Sequence, residues 1–469
     1  MSGSSENNSP GGDKAKVISI TGELNRLRDD FEREDWKNRG IYRVPRGLKV
    51  GGDDSVFRPR FVSIGPYHHG DPNLQCMQYH KYWVLHYILK SSGKDLGELL
   101  DVVKNLEHRA GACYEDLPQM RFPGKTFAEM LLVDACFVLY HLNLLPFTEL
   151  ERDSSPIFSN AYLILGITMD MILLENQVPL FILNGIHEVL CDRPPGGNEV
   201  VMRSICEGVN SSFVLGRELT AHERFSCFIS SLKLPTNIGH DMLSLLEVFW
   251  HSLMYDSITQ QYTSKMEQER GPQDQVVDIR QFIIPSVTAL EEAGVILRHK
   301  NTIPFWDIVF KDDGVLEIPQ IMIYEASESI FANLMAFELR HLDHTRYKIT
   351  SYIAFMDSLV NTASDVAHLR HRGIIVCAGP SDEQVANLFN RLGKRVIVPF
   401  DQIVPFDQLA QLSEQINKHC NRRWPKWRAK LMHNYFKCPW TIISVITAAL
   451  LVLLTIIQTY YTVAQYYQR

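Results

Sequence analysis

The sequence predicts a mainly α protein: a large helical globular body with a small β-hairpin, followed by one C-terminal transmembrane helix. Three observations carry this expectation. Apolar residues recur at three-to-four spacing, as at Phe127, Met130, Leu131, Phe137 and Val138, which marks one buried helical face. The segment Trp306 to Ile318 reads as two short strands around Asp312-Asp313-Gly314, since Asp-Gly supplies the positive φ angles of a hairpin turn. No charged residue stands between Pro439 and Val463.

In chain order, residues 1–37 form an N-terminal segment outside the body. Met1 to Gly12 is rich in Ser, Asn and Gly and lacks the apolar run of a signal peptide. Residues 1 to about 20 are expected to be disordered, and Glu23 to Asn38 reads as a charged, solvated helix. The body spans 38–436. Trp83 to Leu89, Leu243 to Phe249 and Ile330 to Leu339 repeat the helical spacing, and Ser351 to Leu369 reads as one long helix. The apolar runs Phe127 to Leu145 and Ala161 to Leu183 are broken by Glu129, Asp134 and His141, and by Asp170, Glu175 and Pro179. Charges at such positions are costly in lipid, so both runs read as core helices. Asp134 falls on a buried face and must be paired or protonated there. Loops are expected at Arg193 to Asn198 and Lys265 to Gln275, the latter a candidate lobe boundary near 265–275.

The C-terminal span 439–463 is the expected membrane anchor. Thr441 to Val463 extends about 34 Å as a helix, enough to cross a bilayer. Ile457 ends its most apolar part; Trp440 stands at one end and Tyr460 and Tyr461 at the other, as in interfacial aromatic belts. Before it come Arg422, Arg423, Lys426, Arg428, Lys430 and Lys437 with no acidic residue among them; the tail 464–469 carries only Arg469. That bias predicts a single-pass, tail-anchored protein of the plasma membrane or an endomembrane, with its body in the cytosol. The sequons at Asn7 and Asn210 would report the opposite side if glycosylated.

A formal net charge of −7 argues against a general nucleic-acid surface, which needs a basic footprint. The nine cysteines include no Cys-x-x-Cys pair, and a long chain with few cysteines is not a disulfide scaffold. Cys136 and its like read as small buried apolar residues in a reduced compartment.

Three constellations could carry chemistry. Pro66-Tyr67-His68-His69-Gly70 places two histidines between turn residues, and imidazole can serve as acid, base or ligand; the surrounding glycines and proline point instead to a shaped loop. Glu175-Asn176-Gln177 sits between two apolar stretches, with Pro179 suited to opening the second helix. There, amide side chains can satisfy backbone groups and Glu175 can pair with a cation. A carboxylate pair of Asp134 with Glu175 is chemically imaginable, but no spacing brings the two together. The pairs His341/His344 and His368/His371 could share helix faces, yet no carboxylate or cysteine completes a diagnostic ligand set. No Gly-x-Ser-x-Gly, His-Glu-x-x-His, phosphate-loop or dinucleotide fingerprint is present. The residues therefore name no catalytic, cofactor-binding or metal-ligating side chain.

Several blocks occur in an order that resembles the plant domain of unknown function 247 family. They are Ile41-Tyr42-Arg43-Val44-Pro45; Val62 through Gly70; Phe127 through Phe137; and Leu173-Leu174-Glu175-Asn176-Gln177-Val178-Pro179. Ala289 through Val295, Gly314 through Pro319, Asn333 through Glu338, Asn434-Tyr435-Phe436 and Pro439-Trp440 follow. The resemblance covers roughly residues 38–465. It implies a plant-specific, largely helical protein ending in one membrane span, with no established enzymatic activity. The expected function is a membrane-anchored protein-interaction, signalling or recognition module without catalysis, with unidentified protein partners and no nucleic acid. Two alternatives accompany it. One is a pollen-side self-incompatibility recognition factor, a role the resemblance implies for some grass members. The other is a membrane-tethered enzyme of unknown class, to be judged by whether a polar pocket collects Asp134, Glu175 and His69.

Overall fold

The computed structural model describes residues 40–115, 126–145, 160–192, 244–254, 284–302, 305–341, 347–396, 407–421 and 439–467. The expected N-terminal disorder and charged helix, the loops near 193–198 and 265–275, the sequons, the block Asn434-Tyr435-Phe436 and the basic flank Arg422 to Lys437 all lie outside these residues. The chain divides into two compact units. One comprises 1–213, 219–259 and 332–337; the other comprises 214–218, 260–331 and 338–469. The protein is mainly helical with small sheets.

The first unit opens on irregular chain and short 3-10 turns, then builds helices α1 (Gln75–Ser92), α2 (Leu96–Ala112), α3 (Phe127–His141), α4 (Ala161–Asp170), α5 (Leu180–Leu190) and α6 (Leu245–Met254). α3 is the centre. It packs against α1, α2 and α5, and all but one of its residues are buried, the exception being Glu129. Such a helix cannot be amphipathic, and its start is fixed locally instead. Thr126 accepts from the Glu129 amide and Glu129 accepts from the Thr126 amide, a capping box. α1 ends where Gly93 takes a left-handed conformation at φ +68° and donates back to the Leu89 carbonyl. Pro179 directly precedes α5, its fixed φ suiting a helix start.

In the second unit, α7 (Val287–Glu292) leads into β1 (Ile296–Lys300), and β2 (Val309–Phe310), β3 (Val315–Pro319) and β4 (Ile321–Tyr324) follow. β2 and β3 pair antiparallel across the Asp312-Asp313-Gly314 turn, where Gly314 lies at φ +83°. β3 also pairs with β1 in parallel, giving the order β1-β3-β2. After α8 (Ser327–Arg340), whose residues 332–337 count with the first unit, come α9 (Lys348–Leu359) and α10 (Ala363–His371), and β5 (Ile375–Ala378) pairs in parallel with β4. α11 (Asp382–Gly393) and α12 (Asp407–Cys420) close the unit. The long helix expected over Ser351 to Leu369 is two helices. The break falls at Asn361-Thr362, where Asp365 accepts from both backbone amides and from the Thr362 hydroxyl, satisfying the donors at the start of α10.

The chain ends in α13 (Pro439–Tyr467), and here the sequence expectation is corrected. No helix among the described residues is long and apolar enough to cross a membrane. The side chains of α13 are described without a break only over 446–461. The apolar residues there are interrupted by Thr447, Thr455, Gln458 and Thr459, and the three threonine hydroxyls donate to carbonyls four residues earlier. Of the expected anchor residues, Ile457 and Val463 are exposed, while the side chains of Trp440 and Thr441 lie outside the described set. The predicted transmembrane helix is therefore not supported.

The first unit's core holds an ion pair: Lys81 of α1 donates to Asp134 of α3 at 2.5 Å, with both side chains essentially without solvent. Removing one partner of such a pair strands a buried charge, at a cost of about 3–5 kcal/mol. Lys81→Met should lower the unfolding free energy by that amount. Lys81→Met with Asp134→Asn should recover part of the loss, because no lone charge remains. Denaturant titration of the three proteins checks the ordering; a double variant no better than the single one contradicts it.

Candidate functional site

The site grows out of residues 40–74, which have little regular structure and of which 40–42, 44 and 62–67 are nonetheless buried. Backbone amides buried outside helices and sheets need acceptors from elsewhere. Here they find them on side chains that follow in sequence. Asp170, the last residue of α4, accepts from the amides of Arg60 at 3.0 Å, Phe61 at 2.6 Å and Val62 at 2.9 Å. Asn176 accepts from Ile64 at 2.6 Å and donates to the carbonyls of Val62 and Asp170. Asp134 accepts from Gly65 at 2.8 Å while its other oxygen holds Lys81; the Lys81 ammonium also donates to the Ser63 carbonyl. Glu175 accepts from Val44 at 2.7 Å.

The turn between α4 and α5 is held in the same way. Gln177 donates to the Met171 and Leu173 carbonyls and accepts from the Leu245 amide of α6. Asn333 accepts from Leu174 and donates to the Val56 carbonyl. Gly65 has φ +76°, and a Cβ there would run into the Gln177 carbonyl, which already accepts from the Tyr114 hydroxyl at 2.9 Å. Only glycine fits this close approach of two backbones.

Beyond Gly65 the chain turns outward and forms a pocket. Residues from 43 to 58 and from 67 to 73, with the buried Glu175, line a cavity of about 540 Å³. Its charged lining comprises Arg43, Lys49 and Arg58 against Asp54, Asp71 and Glu175. Tyr67 is buried, its hydroxyl donates to the Ile41 carbonyl at 3.0 Å, and the Arg43 guanidinium lies 4.6 Å over its ring. Arg58 is held by Asp54 at 2.9 Å. Arg43 and His68 each stand 3.6 Å from Glu175, and Lys49 stands 3.9 Å from it. Burial, then the nearby Arg43 and Arg58 cations, push the His68 pKa down to about 4. The imidazole is accordingly neutral at pH 7, and its Nε2 has no hydrogen-bond partner among the described residues.

The structure thus brings His68, His69, Gly70 and Glu175 to one pocket and places Asp134, Asn176 and Pro179 in the scaffold behind it. Pro66 is buried at the turn leading to the histidines. Asp134 and Glu175 have separate partner sets. Sequence reasoning assigned no part to Lys81, Arg43, Lys49, Arg58 or Asn333. The clearest available signal was Arg43, which lies inside a recognised block next to Tyr42. Of the histidine pairs, His368 sits 2.6 Å from Glu291 and His344 lies outside the described residues. Among the described residues, no three His, Cys, Asp or Glu side chains are grouped as a metal site would require. Burial pushes the Cys113 and Cys136 thiols up to about 12, away from the thiolate that a nucleophile needs.

A family model described as "plant protein of unknown function" matches residues 41–454. The chain is similar to two Arabidopsis thaliana proteins of the UPF0481 group. One is 26% identical over 445 residues, spanning 91% of this chain and 86% of that protein. The other is 21% identical over 510 residues, spanning 95% and 94%. No solved structure matches the chain.

The depressed pKa of His68 has a consequence for stability. Between pH 6.5 and about 4 the unfolded chain binds a proton that the folded one refuses, so this residue's contribution is lost as pH falls through that window. Asp170, pushed up to about 6 by burial against the pull of its three amides, acts in the opposite sense. A His68→Gln variant retains Asp170 but lacks the histidine. Going from pH 7 to 4.5 should cost the variant less stability than the wild type, by on the order of 2–3 kcal/mol. Urea unfolding at both pH values provides the comparison; identical pH dependence in the two proteins refutes the assignment.

Proposed function

We propose, on the premise that the chain belongs to the DUF247 family of plant proteins of unknown function, that its body is a recognition module that binds partners without catalysing a reaction. The observation that supports this reading is where the buried carboxylates are spent. A general acid or base must exchange a proton with a substrate from a side chain that is available to it. Asp134, Asp170 and Glu175 each accept from backbone amides of residues 44–65, and Asp134 also holds Lys81. Protonating any of them would withdraw an acceptor from a buried donor, at about 1–3 kcal/mol each. What lines the pocket is a balanced set of cations and carboxylates together with the neutral His68 imidazole. Such groups suit binding.

On this reading, protein partners meet the polar surface around residues 43–73. The rim cations Lys49 and Arg58 set affinity and encounter rate, while the core carboxylates keep the surface in shape. The test uses the purified full chain in two arms. Incubation with a plant metabolite extract should leave the same composition whether the protein is wild type or Glu175→Gln. Affinity for an isolated protein partner should drop at least tenfold in a Lys49→Glu, Arg58→Glu double variant that melts like the wild type. Turnover of a metabolite that disappears in Glu175→Gln at unchanged melting temperature overturns the proposal, as does partner binding indifferent to the rim charges.

A further inference from the structure

We propose that α13 is a self-association helix, packing along one apolar seam against the same helix of a second copy of this chain. Every described side chain of α13, from Ile443 to Val463, is exposed. In water a helix draws most of its stability from burying an apolar face, and one that is apolar on most sides belongs in the interior of an assembly. The spacing of its large residues points to the occupant. Ile443, Ile446, Leu450, Leu453, Ile457 and Tyr460 recur at intervals of three, four, three, four and three. That is the a and d pattern of a coiled coil, held over about three heptads, and it keeps one seam turned toward a partner helix. All six are exposed, Ile457 least at 43% and Tyr460 most at 71%. A period of this kind is the mark of a helical partner, whereas lipid chains surround a helix evenly and impose no period.

The residues beside the seam choose the partner. Charges at the e and g positions select one coiled-coil partner over another. Here those positions hold Thr447, Ala449, Leu454, Ile456, Tyr461 and Val463. None of them repels an identical helix, and none rewards a helix of different charge. They also widen the contact beyond the a and d stripe. A seam of this length with such flanks offers on the order of 800 Å² per chain, the area that each partner of a standard stable interface buries. The polar residues Ser444, Thr455, Gln458 and Thr459 fall at the outer b, c and f positions, together with Leu451 and Val452. Thr447, at the edge of the seam, donates its hydroxyl to the Ile443 carbonyl, so it brings no unmet donor to the interface.

Sedimentation equilibrium of the full chain over a concentration series provides the test. The wild type should run at twice the chain mass or above and dissociate on dilution. Leu450→Ala with Leu453→Ala removes two layers of the seam while alanine keeps the helix; the dissociation constant should rise at least tenfold. Leu451→Ala with Val452→Ala takes a similar amount of apolar surface from the outer side and should change it less than about twofold. Equal weakening by the two pairs overturns the seam, because it marks apolar attraction without register. A wild type of single-chain mass up to about 100 μM overturns self-association itself, since an interface of this size would hold more tightly. Flotation with phosphatidylcholine vesicles is the companion measurement. Chains that float with the vesicles and stay single in buffer make lipid the occupant and overturn the proposal.

Discussion

Amide protons buried in chain that is neither helix nor strand have to be answered by something, and in this protein side chains answer them. Val44 and the run from Val62 to Gly65 are buried in the first unit without ladder partners, and four side chains take their donors: Glu175, Asp170, Asn176 and Asp134. An orphaned amide in such a place costs about as much as a lost hydrogen bond, and a whole segment of them could not be tolerated. The helices behind the segment are thus tied to it by directional polar contacts as well as by apolar packing. That requirement dictates charged and amide residues in what is otherwise an apolar core, and with them a further compensation. Asp134 is answered there by Lys81 beside it, and the Lys81 ammonium donates to Asp134 and to the Ser63 carbonyl.

From this arrangement follows the separation of two kinds of polar residue. Those that face inward are matched to donors and hold the chain. Those that face the pocket include Arg43, Lys49 and His68, which stand 3.6 to 3.9 Å from Glu175, and Arg58, which Asp54 holds at 2.9 Å. Glu175 belongs to both sets, with one oxygen on the Val44 amide and the other toward Arg43 and His68. It transmits the rigidity of the scaffold to the lining of the pocket. The neutral state of His68 follows from the same geometry, since burial and two neighbouring arginines all oppose a further positive charge.

The local parts of this design were legible in the sequence and the long-range parts were not. The helical character of Phe127 to His141 is written in its spacing, and the presence of Asp134 on its buried face required a partner. That partner lies 53 positions earlier in α1, a separation at which no periodicity gives a signal. The Asp312-Asp313-Gly314 turn announced β2 and β3, because hairpin chemistry is local. The parallel pairings of β1 with β3 and of β4 with β5 join strands separated by intervening chain, and nothing at either strand encodes the other. The break between α9 and α10 was hidden for a different reason: the apolar spacing continues through it, and Asp365 acts by a cap that spacing does not record. The terminal apolar run misled in the opposite direction. Its length and lack of charge both suggest a span, whereas no helix among the described residues is long and apolar enough to cross a membrane, and α13 carries threonines along it.

Rigidity of the lining has a further implication for how the pocket would work. A surface loop that had to be ordered on binding would forfeit about 1–2 kcal/mol for each residue fixed. Here the fixing is done in advance. Gly65 is locked against the Gln177 carbonyl, Tyr67 is pinned through its hydroxyl to Ile41, and Asp71 caps the short turn at Pro72. The two histidines therefore sit on a loop whose two ends are both anchored, one in the core and one at a helical turn leading into α1. Affinity in such a pocket depends on complementarity of charge more than on folding of the loop. Change in the rim cations can then alter what is bound while the core acceptors keep the same backbone in place, and a single scaffold can carry different specificities.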